Sequence, residues 1–227
     1  MKRTGLIALA VALAAVAAAL LYTTLAREAE YRRLIADGEN ALASDQTFVA
    51  IEAFSGAIAL KPDSMLAYLR RGEAYRRRGG ADDLQTALRD LRTAVQIEPT
   101  ALKPQEELGD VNFALERFAR AAESYDAYLE LDDRSSRVWY KLALSRLRLG
   151  DAAGAVPVFG RLPARQAAAA AIAALRQAVA LDARFAEAFY LLGVCQGQVG
   201  QSREAVTSLM RAVELAPTLP QAREELI

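Results

Sequence analysis

The chain has 227 residues, of which 53% are hydrophobic and 7% aromatic, with 28 basic and 28 acidic side chains, one cysteine and no histidine. Balanced charge leaves no basic footprint for nucleic acid, and the lone Cys195 cannot close an intramolecular disulfide. Without histidine, every His-based triad, His proton shuttle and His-ligated metal site is excluded.

The first predicted element lies at the N-terminus. After Lys2 and Arg3 no charge occurs until Arg27. A helix over this stretch, at about 1.5 Å per residue, crosses a hydrocarbon core of roughly 30 Å. Residues 1–26 therefore read as a signal anchor or as a cleaved signal peptide. Gly5 to Tyr22 is longer than the roughly 7–15 residues of a cleavable apolar core, and "TLA" ending at Ala26 matches A-x-A only loosely. Both features favour an uncleaved anchor that engages the membrane through residues 4–26. Lys2 and Arg3 hold the N-terminus in the cytoplasm, although Arg27, Arg32 and Arg33 pull the other way, and the rest of the chain is expected on the periplasmic side. Residues 27–30 are expected to form a short linker.

From residue 31 to 217 one spacing recurs: a small residue, a large apolar one four later, a third three later, and a helix-ending residue after five more. It occurs as Ala50, Phe54, Ala57, Pro62, then as Ala87, Leu91, Ala94, Pro99. Ala121, Tyr125, Tyr128, Asp133 follows, then Ala171, Leu175, Ala178, Ala183, and last Ala205, Leu209, Ala212, Pro217. Before each stands a second helical stripe centred on a small residue: Gly38, Gly72, Gly109, Ala143 and Gly193. A small residue on such a stripe lets the facing helix approach closely. Each unit is then a pair of antiparallel helices, predicted at about 31–64, 65–101, 102–135, 136–185 and 186–217. Residues 218–227 are expected to cap the array as a C-terminal helix, although an incomplete last unit could instead pair with a second copy.

The array is irregular at two places. Between the small residue of the first helix and the alanine opening the second lie 12 positions in three units, 15 in the second and 28 in the fourth. Gly79 and Gly80 permit the longer turn of the second. In the fourth, either a short second helix over 155–162 is followed by an additional helix at 165–181, or 165–181 is the second helix and 151–164 an inserted loop. Pro157 suits a first turn and Pro163 would break a helix running through it, which favours the first reading. Arg161, Arg165 and Arg176 interrupt any second membrane span here.

These residues resemble the tetratricopeptide repeat, a unit of about 34 residues with a W-x2-L-G-x2-Y first helix and an A-x3-F…P second helix. Asp37, Gln105, Asp133 and Ala183 depart from the pattern, while the spacing around them persists. The resemblance implies an all-α solenoid of antiparallel helix pairs, preceded by one N-terminal transmembrane or signal helix, and a noncatalytic scaffold that binds protein segments in a concave groove lined by first helices. The stripe it assigns to the groove holds Glu39, Leu69, Glu73 and Arg76, then Glu106, Asp110 and Phe113, then Tyr140, Leu144, Tyr190 and Val194. Acids at one end and apolar groups at the other suit a partner peptide that is basic at one end and apolar at the other. The alternative is that the acids merely solvate the surface and the tyrosines pack between repeats. Family members that grip chaperone C-termini use Lys, Asn and Arg on this stripe, so the acids here disfavour that ligand.

The other features have bland readings. No Gly-rich phosphate loop and no Cys/His cluster occurs, so no cofactor and no metal is assigned. Asp82/Asp83 and Asp132/Asp133 fall at turns, Arg76 to Arg78 read as a solvated turn, and Cys195 and Trp139 read as core.

Overall fold

The fold was analysed in a computed structural model, which describes residues 2–151 and 164–217. Among the described residues there are ten helices and no strand. The chain divides into two compact units, Met1–Glu98 and Pro99–Ile227.

The first unit contains α1 (Lys2–Ala43), α2 (Thr47–Leu60), α3 (Met65–Arg78) and α4 (Ala81–Ile97). Helix α1 has two different halves. From Val11 onward its apolar side chains are exposed, Leu20 and Leu25 among them, whereas Tyr31, Ile35 and Ala41 near its end are buried with Ala50, Phe54 and Ala57 of α2. The second half is thus the first helix of the first pair. Residues 27–30, expected as a linker, are helical and lie inside α1. The reason is local: Arg27, Glu28, Ala29 and Glu30 are strong helix formers, and Arg32 Nε to Glu28 at 2.9 Å and Arg33 to Glu30 at 2.5 Å add i,i+4 and i,i+3 pairs.

The second unit contains α5 (Leu102–Ala114), α6 (Phe118–Leu131), α7 (Ser136–Asp151), α8 (Ala164–Leu181), α9 (Ala186–Val199) and α10 (Ser202–Leu215), each packed on the next. Its core joins Tyr125, Val138, Leu142, Ala143, Leu175 and Leu192, and it takes in the fully buried Cys195. Trp139 is half-buried against this core, and its indole N–H donates to the Asp133 carbonyl at 2.8 Å.

Close approach explains the recurring small residue. A methyl group added at Gly38 would meet Phe54 Cζ at 2.6 Å, at Gly72 Leu91 Cγ at 2.9 Å, at Gly109 Tyr125 Cδ1 at 2.7 Å, and at Gly193 Leu209 Cγ at 2.7 Å. In every case the partner is the large residue of the following second-helix stripe. The spacing read in the sequence is therefore a contact, seen in the four pairs whose small residue is glycine.

The turns explain the intervals. In the three units with a 12-residue interval, the first helix ends on one left-handed residue: Asp45 (φ 61°), Glu116 (φ 57°) or Gly200 (φ 88°). The next N–H then reaches back five residues, as from Gln46 to Ala41, Arg117 to Asn112 and Gln201 to Gln196, each at 2.8 Å. In the second pair Gly79 (φ 80°) ends α3 and Gly80 precedes α4, which starts later. In the fourth, α8 takes the second-helix place against α7: Ala171, Leu175 and Ala178 are buried in the shared core, and Arg146 of α7 donates to the Ala170 carbonyl at 3.4 Å. The helix that the first reading counted as additional, at 165–181, is thus packed on α7 as a second helix. The short helix at 155–162, Pro157 and Pro163, and the capping helix at 218–227 lie outside the described residues.

Candidate partner-binding surface

The stripe assigned to the first helices was followed unit by unit. In the first unit Glu39 of α1 is exposed and Glu73 of α3 half-buried, and one side chain ties them together. Arg70 donates from Nε to Glu39 at 3.1 Å and from Nη1 to Glu73 at 2.9 Å. Partial burial disfavours the Arg70 charge, but the pairs with Glu73 and Glu39 outweigh it and push its pKa up. Leu69 is only 5% exposed. Expected to line the groove, it is instead buried, since its place on α3 turns it toward the packed side. Arg76 is half-buried.

Behind this surface, Arg71 forks onto the buried Asp90 of α4 at 2.7 and 2.8 Å and reaches Ser55 of α2 at 3.2 Å. The bidentate geometry pins α2, α3 and α4 to one another.

In the second unit a second polar node joins three helices. Lys141 Nζ of α7 lies 2.7 Å from both Glu106 and Asp110 of α5, and Asp110 also accepts the Tyr125 hydroxyl of α6 at 2.7 Å. Burial raises the Glu106 carboxyl, but the Lys141 hydrogen bond and the charges of Lys141 and Lys103 outweigh it and hold it below the usual carboxylate range. Burial first, then the neighbouring Asp110 charge, push the Tyr125 phenol far above its ordinary value, so it stays a hydrogen-bond donor.

The apolar part of the stripe is half-buried throughout: Phe113, Tyr140, Leu144, Tyr190 and Val194. Phe113 meets Phe118 edge-on at 5.2 Å between centroids, and Tyr140 packs on Phe185, just before α9, at 5.0 Å. Burial, then the Glu187 charge, raise the Tyr140 phenol.

The structure thus brings Glu39 to Glu73 and Glu106 to Asp110, each pair through a cation that the stripe did not include. Arg70 and Lys141 halve the negative charge of their sites. A signal for them exists in the sequence. Arg70 lies 31 residues after Glu39, and Lys141 lies 35 after Glu106 and 31 after Asp110. Residues about one repeat apart on successive first helices are neighbours, so the period itself pairs them. Among the described residues no group of His, Cys, Asp and Glu is arranged to hold a metal ion.

Two stretches of the sequence, 106–170 and 186–219, match tetratricopeptide-repeat families. No curated protein matches the chain by sequence. Among solved structures, MamA superposes with a TM-score of 0.69 at 20% identity, covering 87% of this chain and 97% of its own. MamA from Desulfovibrio magneticus gives 0.69 at 16%, covering 84% and 97%. YrrB, a tetratricopeptide protein with an unusual peptide-binding site, gives 0.68 at 17%, covering 85% and 89%. At these identities the likeness is one of fold. Helix pairs that close on a small residue, the matched stretches and the shared fold together identify tetratricopeptide repeats in this chain, at 106–170 and 186–219, within an all-α array of helix pairs.

Proposed function

We propose that the protein is a noncatalytic scaffold, held at the membrane by residues 4–26, that binds protein segments on the first-helix surface of its second unit. One observation carries the reading: Tyr140, Leu144, Tyr190 and Val194 remain half-open on α7 and α9, on the same chain stretch as a Lys141-bridged acid pair. Half-open aromatic groups on rigid helices supply contact area at small entropic cost, as binding hot spots do. Because Lys141 and Arg70 already engage the acids, the apolar groups hold most of the affinity. The Glu106–Asp110 pair, one negative charge in excess over Lys141, favours a basic residue beside the apolar segment. The peptide-binding site of YrrB supports the class of ligand.

In-cell crosslinking with mass spectrometry tests this. Replacing Tyr140 and Tyr190 together by Ala should remove the partners captured by the wild type, a second copy of the chain included if that is the partner. An unchanged partner set refutes the surface.

Two features support the tether. The segment from Val11 is long and apolar enough to span a membrane and is not buried. Helix α1 also continues unbroken through Ala26 to Ala43, so the loose cleavage match lies inside a helix. Carbonate extraction should leave the protein in the membrane pellet. Release into the supernatant refutes the anchor and indicates the cleaved periplasmic form.

A further inference from the structure

Helix α8 carries a face that the first-helix surface does not use. Its sequence, "ARQAAAAAIAALRQAVAL", contains two arginines and no acid, whereas α2, α4, α6 and α10, the other described second helices, each carry at least one. Ala167, Ala168, Ala171, Ala174, Leu175 and Ala178 are buried, so the inward stripe accounts for most of the alanine run. The outward stripe is Arg165, Ala169, Ala173 and Arg176, all exposed and spaced i, i+4, i+8, i+11. Two arginines therefore stand at the ends of a flat floor of methyl groups.

This floor borders an open groove of about 520 Å³, closed on its other side by Val199 and Gln201 at the turn between α9 and α10. Among the described residues no acidic side chain lines it. Among the same residues Arg165 makes one hydrogen bond, to the Val199 carbonyl at 3.2 Å. Arg176 has no charged or hydrogen-bonded partner among the described residues. Gln201 Oε1 is shielded from solvent and accepts no hydrogen bond there. Arg165 also sits in the first turn of α8, beside the positive end of the helix dipole, where a cation opposes helix formation and an anion is favoured.

The groove thus offers two cationic forks and an apolar floor between them. From Arg165 to Arg176 is eleven residues of helix, about 16 Å along the axis. An extended chain rises about 3.3 Å per residue. We propose that this face binds an extended acidic segment of a partner protein, with carboxylates five residues apart on Arg165 and Arg176 and small side chains over Ala169 and Ala173. Each arginine can take its carboxylate through paired N–H donors. The proposal does not depend on the first-helix surface, with which it shares no residue.

Fluorescence anisotropy on the full-length protein in detergent tests it, with labelled GEAGAGEG as the probe. The expected result is saturable binding that weakens by about tenfold or more in the Arg165→Ala, Arg176→Ala double variant and falls as salt is raised. GQAGAGQG, and GEEAGAGG with adjacent glutamates, should bind several-fold less. Both arginines are exposed, so the double variant should keep the wild-type circular dichroism spectrum and melting curve. The Tyr140→Ala, Tyr190→Ala variant should bind the probe as the wild type does. Equal binding of the glutamine peptide, unchanged binding by the arginine variant, loss of binding in the tyrosine variant, or no binding up to millimolar protein would each overturn the proposal.

Discussion

Replacing Gly109 by Ala probes the contact seen in four of the helix pairs. In an open helix interior the change should stabilise by about 1 kcal/mol, through helix propensity alone. At Gly109 the new methyl would meet the Tyr125 ring, with Cδ1 at 2.7 Å and Cζ at 2.8 Å, where ordinary contact starts near 3.4 Å. Tyr125 is 1% exposed, so its ring cannot move aside into solvent. Its hydroxyl is also held by Asp110 at 2.7 Å, so a retreat strains that bond and, through Asp110, the Lys141 pair. Overpacking costs about 1–3 kcal/mol and a weakened hydrogen bond about 1 kcal/mol. Against the propensity gain, the net expectation is destabilisation by about 1–3 kcal/mol. Gly197→Ala is the control: nothing lies within 4 Å of its added methyl, so it should stabilise by up to about 1 kcal/mol. Urea denaturation followed by circular dichroism should move the two midpoints in opposite directions. A shared direction would show that the glycines are placed for some reason other than close approach.

Arg71→Ala strands the buried Asp90 carboxylate and should cost about 3–5 kcal/mol by the same assay, whereas Arg71→Met with Asp90→Leu should recover most of the loss. Tyr31→Phe removes the 2.6 Å hydrogen bond to Ser64 and should cost about 1 kcal/mol. For pH, the folded Glu106 carboxyl titrates below its ordinary value of 4.5. A depressed carboxyl contributes its full stability above the unfolded value and loses it as pH falls through the folded one. Acid titration of the wild type should therefore show stability declining from about pH 4.5 downward. Lys141→Met should lower stability at neutral pH and flatten that decline; an equal decline in both proteins would assign it to other carboxyls.

Periodicity made most of the fold legible. A contact between a small and a large residue, repeated in four pairs as Gly38/Phe54, Gly72/Leu91, Gly109/Tyr125 and Gly193/Leu209, leaves its spacing in the chain as the two stripes. What periodicity does not encode is the partner of a polar side chain on the next helix. Glu39, Glu73, Glu106 and Asp110 read as open acids because their own helices show them outward, while the cations that engage Glu39, Glu106 and Asp110 arrive from a neighbouring first helix and Arg70 then also takes Glu73 of its own helix. Leu69 was misplaced for the complementary reason: a helical face can turn toward a neighbour as easily as toward solvent. The second-helix role of 164–181 needed packing as well, since Ala155, Phe159 and Leu162 satisfy the same spacing and the spacing alone does not choose between the stretches.

Helix α1 runs without a break from its apolar half into the first pair, and this couples two parts of the molecule mechanically. Each residue of an α-helix advances about 1.5 Å and turns about 100°. Inserting one alanine between Glu28 and Tyr31 would rotate the apolar segment by about that angle relative to the side of α1 that grips Phe54, with only a small axial displacement. Four inserted residues would nearly restore the azimuth while lifting the repeats by about one turn. The segment therefore works as a shaft keyed to the first pair: it sets the compass bearing of that pair as well as its height, and torque applied at one end reaches the other.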